Sequence, residues 1–140
     1  MQRELAANVQ TIAGRLEETS ALAPQIVAEY RAKLLERVRQ ALAESGTNVA
    51  ESDLIREVSI FSDRSDINEE IIRLRSHLEQ FGAFSKESVS TGRKLDFLSQ
   101  EMFREINTIG SKANNVAIAH CVVDMKAAVE KMREILQNVE

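Results

Sequence analysis

Carboxylates recur in two groups along this sequence, Asp66, Glu69 and Glu70 in one stretch and Asp96, Glu101 and Glu105 in another, with His77 between them. Carboxylate oxygens are what a hard divalent cation takes, and metal-assisted hydrolysis also needs an activated water and a cation to stabilise developing charge. His77 can serve as acid, base or ligand, because an unperturbed imidazole titrates near neutrality. The cations within reach in the sequence are Arg73 and Arg75 beside His77, then Arg93 and Lys94, then Arg104 and Lys112. Each residue also has a plainer reading. Asp66 and Glu69 have the spacing of a helix capping pair, and Glu101 and Glu105 can be solvated or paired with Arg104 and Lys112. His77 lies among Leu74, Leu78 and Phe81 and can simply hydrogen-bond at the edge of a core.

These residues sit on elements with a strong helical signature. In the run Lys94–Lys112, the residues Leu95, Leu98, Met102, Ile106 and Ile109 recur at the three-to-four spacing of one buried face. Glu101 and Glu105 are one turn apart, as are Gln100 and Arg104, and Asn107, Ser111 and Lys112 extend a polar strip that solubility alone would not require. Upstream, Leu5, Val9, Ile12 and Leu16 form a first stripe, and Ile26, Tyr30, Leu34, Val38 and Leu42 form another after Pro24. Pro24 is expected to start a helix or kink one. Gly46 is available for a left-handed C-terminal cap, and Glu51-Ser-Asp53 opens the next helix, with Leu54, Val58 and Phe61 facing one way. A break is expected between Ser62 and Ser65, followed by Ile67, Ile71, Leu74, Leu78 and Phe81 inside.

The stretch 82–92, rich in Ser, Gly and Thr, reads as an internal loop. Gly110, Asn114 and Asn115 interrupt the final helical region, where a bend is expected instead of a full turn, and Ile118, Val122, Met125, Val129, Met132 and Leu136 continue the seam. The expected fold is all-α, a single helical domain over 1–140 with long amphipathic helices in an antiparallel bundle or extended hairpin. Its long seams offer more apolar surface than a compact bundle needs, so a homo-oligomer is expected.

Composition is consistent with this. The chain has 140 residues, 44% of them apolar and only 4% aromatic, with one Pro and no Trp; Gly and Pro are too scarce to punctuate an all-β domain. A lone cysteine, Cys121, cannot form an intramolecular disulfide, which makes a reducing cytoplasm the default, and it reads as a small buried hydrophobe. No apolar run reaches the length of about 20 residues that spans a bilayer, so no membrane partner is expected. HExxH, paired CxxC and glycine-rich phosphate-loop patterns are missing, which removes zinc protease, structural zinc and nucleotide-cofactor readings. The net charge of −4 means that any contact with nucleic acid must rest on local positive charge. A second basic group, Arg31, Lys33, Arg37 and Arg39, is interspersed with Glu29 and Glu36 and reads as an ordinary charged helix face.

The run Lys94-Leu-Asp-Phe-Leu-Ser-Gln-Glu-Met-Phe-Arg-Glu-Ile-Asn-Thr-Ile-Gly-Ser-Lys112 resembles the hallmark of the bacterial YicC/YloC family. The resemblance extends through Asp66-Ile-Asn-Glu-Glu70 and Arg73-Leu-Arg-Ser-His-Leu-Glu-Gln-Phe81, and through Val122-Val-Asp-Met-Lys126, Glu130-Lys-Met-Arg-Glu134 and Gln137-Asn-Val-Glu140; Ala23–Leu34 resembles the preceding helix more loosely. The chain departs from the family pattern at Phe103, where asparagine is common, and at Ser99, where leucine is common. Family members carry an N-terminal domain ahead of this region, so the chain reads as a C-terminal fragment without it. The resemblance implies a cytoplasmic endoribonuclease that cleaves RNA with a divalent metal, manganese or magnesium, in a homo-oligomer resembling a hexamer. In this sequence it points to Glu70, His77, Glu101 and Glu105 as catalytic, to Glu70, Asp96, Glu101 and Glu105 as metal ligands, and to Arg73, Arg75, Arg93, Lys94, Arg104 and Lys112 as RNA contacts. Glu70, His77, Glu101, Arg104 and Glu105 are expected to share one surface although they lie on two helices. The alternative is a non-catalytic oligomerisation or RNA-binding module of a stress-associated bacterial protein. Few aromatic residues are available to stack on bases, so recognition of RNA shape or backbone is expected over a base code.

Overall fold

The computed structural model describes residues 2–87 and 92–139; positions 1, 88–91 and 140 lie outside it. The described residues form five helices and no strand: α1 Gln2–Ser45, α2 Glu51–Asp63, α3 Asn68–Ser85, α4 Gly92–Lys112 and α5 Val116–Val139. The all-α expectation is therefore met. Among these residues no helix is long and apolar enough to cross a membrane.

Long-range side-chain pairs set the directions of the helices. Glu70 meets Lys112 and Arg73 meets Glu105, so α3 and α4 are antiparallel. Arg15 meets Asp124 and Glu18 meets Cys121, which makes α1 antiparallel to α5. Gln2 bonds to Ser85 and Arg75 to Glu17, giving the same relation between α1 and α3. The first half of α1 thus joins α3, α4 and α5 around one core that includes Ile12, Leu16, Leu74, Met102, Ile106 and Met125. The second half of α1 packs along α2, tied by Arg31 to Ser62 and by Arg39 to Glu51. Leu54 and Val58 are buried in this hairpin but stand apart from the main core.

Four expectations about boundaries need correction. Pro24 does not start a helix: α1 runs through it as one element of 44 residues. Ile12, Leu16, Thr19 and Ile26 are buried on one stripe that passes Pro24 in phase, so packing on both sides offsets the roughly 3 kcal/mol that an interior proline costs. The region 110–115 is a full turn, not a bend. α4 ends at Lys112 and α5 starts at Val116, capped by Asn115, whose Oδ1 accepts the Ile118 N–H at 3.1 Å. The internal loop is shorter than 82–92, because α3 continues to Ser85 and Gly92 already belongs to α4; its central part, 88–91, lies outside the described residues. Phe61 does not join Leu54 and Val58 inside. It is exposed beneath Arg64, and Ser62, which accepts a hydrogen bond from Arg31, takes the buried place against α1.

The cap expected at Gly46 forms. Gly46 has φ +71°, and the N–H groups of Gly46 and Thr47 return to the carbonyls of Ala43 and Leu42 in a Schellman cap. The expected Asp66–Glu69 capping pair, in contrast, does not form: the N-cap is Ile67 with no side-chain hydrogen bond, Asp66 Oδ1 takes the N–H of Asn68 at 2.9 Å in a local turn, and Glu69 turns outward to Arg73.

Candidate functional site

The α3–α4 hairpin buries charge. Glu70 is 1% exposed, and Glu105 is also buried, each on the flank of its helix that faces the other. A carboxylate in that position must be paired, since desolvation otherwise costs several kcal/mol. Lys112 Nζ stands 2.5 Å from Glu70 Oε1, and Arg73 Nε stands 2.9 Å from Glu105 Oε1. Arg73 also reaches Glu69 at 3.4 Å and Glu70 at 3.9 Å. Its guanidinium pKa is raised, first by the hydrogen bond to Glu105 and then by the neighbouring charges. The two cations are only half covered, with side chains 48% exposed for Arg73 and 37% for Lys112, so they form the outer surface over an acidic floor. Glu70 Oε2 has no hydrogen-bond partner among the described residues.

One turn along the same antiparallel register, position 77 on α3 comes level with position 101 on α4. Glu101 is partly exposed and pairs loosely with Arg104 at 3.7 Å, while His77 Nδ1 is buried with no hydrogen-bond partner among the described residues. Glu70, Arg73, His77, Glu101, Glu105 and Lys112 therefore belong to one seam. The remaining candidates do not. Arg75 turns to α1, where it makes two bonds to Glu17, at 2.9 and 3.1 Å, and one to Ser20. Arg104 points outward, 75% exposed. Lys94 lies over the Phe84 ring at 4.8 Å. With exposed Arg93 it sits at the opposite end of α4 from Lys112, about 27 Å away at about 1.5 Å per residue.

The family described as "Endoribonuclease YicC-like, C-terminal" matches residues 19–140. The chain belongs to this family. It is 39% identical over 140 residues to a protein of Clostridioides difficile (strain 630) named "Probable endoribonuclease YicC", covering all of this chain and 47% of that protein. A Haemophilus influenzae protein of the same name is 33% identical over 132 residues, covering 94% of this chain and 45% of that relative. The chain thus spans about half the length of the curated relatives it matches.

In this YicC-like chain Asp96 stands apart from the other three carboxylates expected to bind a metal. Asp96 accepts a hydrogen bond from Gln100 and lies more than two turns before Glu105, about 13 Å along the axis at about 1.5 Å per residue. Glu70 and Glu105 are already engaged with Lys112 and Arg73. Among the described residues no group of three or more His, Cys, Asp or Glu side chains could hold a metal ion. Sequence reasoning also passed over Lys126 and Arg133, which line two adjoining clefts beside α4. Their separation by seven residues, which returns a helix to nearly the same face, was the available signal.

Proposed function

We propose that the chain forms the RNA-contacting helical part of an endoribonuclease, with the α3–α4 seam meeting the scissile phosphodiester. The supporting observation is the pairing of two half-exposed cations, Arg73 and Lys112, with two buried carboxylates, Glu105 and Glu70. Glu70 and Glu105 are too enclosed to touch a phosphate and act as positioning residues that hold the cations in place. Arg73 and Lys112 supply fixed positive charge where a phosphoryl transition state accumulates negative charge, and fixed donors need no reorganisation as the reaction proceeds. His77 and Glu101, level with each other on the next turn, are the groups for proton transfer at the attacking and leaving oxygens. A manganese or magnesium requirement belongs to this reading only with ligands from a second copy or from a part of the protein beyond this chain.

The test is cleavage of a labelled RNA by a protein spanning the relatives' full length, with manganese titrated against chelator. Cleavage should fall by at least tenfold in Glu101→Gln and His77→Asn while melting temperature is kept, a pattern that separates chemistry from stability. Parental rates in both variants would move the site away from this seam.

A second reading, assembly into a homo-oligomer, is favoured by the α1–α2 hairpin, where Tyr30, Ile55, Ile60 and Phe61 are exposed. Sedimentation over a range of concentrations tests it. A concentration-independent monomer for this chain would remove the hairpin as an assembly surface.

A further inference from the structure

We propose that the cleft between α4 and α5, on the flank of α4 turned away from Glu70 and Glu105, is a track for the sugar–phosphate backbone of single-stranded RNA. The proposal rests on the reading of RNA as the substrate and assigns a binding surface separate from the seam.

Two adjoining shallow depressions, open to solvent, make the cleft. One, of about 590 Å³, lies against Gly110, Ser111, Val122 and Lys126; the other, of about 400 Å³, lies against Gln100, Arg104 and Arg133. Asn107 and Thr108 line both, so the groove is continuous along α4. Neither depression is lined by a carboxylate. In a chain with net charge −4, three cations and a row of amide and hydroxyl side chains in one groove are the local positive field that phosphate binding requires.

The cations are available. Lys126 Nζ lies 5.9 Å from the centre of the Phe103 ring and has no ion pair among the described residues. Arg104 and Arg133 meet Glu101 and Glu130 at 3.7 and 3.6 Å, longer than a hydrogen bond, in solvent-facing pairs of little strength. Arg133 Nε is buried without an acceptor among the described residues, while the side chain lines the groove. The polar strip Gln100, Asn107 and Ser111, which solubility does not explain, has its use here. Asn, Gln and Ser side chains and guanidinium groups are ordinary partners of phosphate and sugar oxygens, and they read backbone, not base identity. Phe103 is the one aromatic residue at the groove, so stacking contributes little sequence preference.

The test measures binding of fluorescein-labelled oligouridine RNA to this chain by anisotropy across a salt series. Lys126→Gln combined with Arg133→Gln should weaken binding on the order of tenfold and reduce the slope of log affinity against log salt by about 1.4, at about 0.7 per lost phosphate contact. Lys131→Gln combined with Arg56→Gln removes the same charge from the opposite face of α5 and from α2, and should leave affinity within about twofold. Should the double variant lose helicity, Lys126→Gln alone is expected to reduce the slope by about half as much. Parental affinity and slope in folded Lys126 and Arg133 variants would overturn the track while leaving RNA binding intact. Failure of the parent chain to bind the RNA would overturn both the track and the substrate reading. Displacement of the RNA by polyglutamate at equal charge concentration would replace the backbone assignment with an acidic-peptide site.

Discussion

The two helical hairpins of this molecule resolve opposite problems. The α3–α4 hairpin encloses Glu70 and Glu105 and supplies their counter-charges from Lys112 and Arg73, so that charge is organised inside a packed seam. The α1–α2 hairpin encloses only Leu54, Val58 and Ser62 from α2 and leaves Ile55, Ile60 and Phe61 in water. A region that spends stability on buried charge and a region that exposes apolar side chains are both costly for a free-standing domain. The first cost makes sense where cations must be held against a phosphate, and the second where another surface covers the hairpin.

Deleting one cation from each hairpin gives the largest expected contrast. Lys112→Ala leaves Glu70 buried, with Arg73 at 3.9 Å as its remaining partner. The expected loss is about 3 kcal/mol in urea unfolding, the low end for breaking a buried ion pair. Arg39→Ala removes the partner of Glu51 on the other hairpin, where both side chains are about half exposed, and should cost less than about 1 kcal/mol. Equal losses would mean that water reaches Glu70 and that the two hairpins do not differ in this way.

A third interface, between α1 and α5, buries a titratable group in its neutral form. The Cys121 thiol donates to Glu18 Oε2 at 3.4 Å, and burial is the first cause of its raised pKa. Because the folded pKa lies above the unfolded one, this contribution is complete below the ordinary thiol value of about 8.5 and is lost as pH rises through the higher folded value. Urea midpoints at pH 8 and pH 10 should therefore fall more steeply for the parent than for Cys121→Ala, whatever the offset between the two at pH 8. Parallel slopes would show that the thiol gains no protection from this interface.

How much of this was legible depended on the range of the interaction. The buried stripes of α3, α4 and α5, the Gly46 cap and the break after Ser62 rest on local periodicity and turn chemistry, and the structure bears them out. The choice at Pro24 between a helix start and a kinked, continuous helix stayed open because it depends on what packs against Ile12, Leu16 and Ile26 from elsewhere in the chain. The turn at 113–115 was not expected because a single helical Gly costs only about 1 kcal/mol, which packing can override, whereas the turn is fixed by Asn115, whose side chain caps α5. Within the site, the sequence placed carboxylates and cations on two helices, but only the antiparallel register pairs Arg73 with Glu105 and Glu70 with Lys112. The separation of Asp96 from Glu105 follows from their spacing along one helix and was legible, whereas the turning of Arg75 toward α1 is a long-range contact that no local pattern records.

The smallest expected effect concerns how tightly α4 and α5 are held, a spacing that bears on the cleft between them. Gly14 lies on an exposed face of α1 with nothing within 4 Å of an added Cβ, so Gly14→Ala should stabilise by about 0.5–1 kcal/mol through helix propensity alone. At Gly110 an added Cβ would lie 3.1 Å from Val122 Cγ1. Val122 is buried, and a β-branched side chain in a helix has essentially one rotamer to offer, so it cannot turn aside. The propensity gain is then offset by the clash, and Gly110→Ala should melt no higher than the parent while Gly14→Ala melts higher. An equal rise for both would mean that α5 can move away from α4 at little cost, in which case the width of the cleft follows from what occupies it and not from this helix contact.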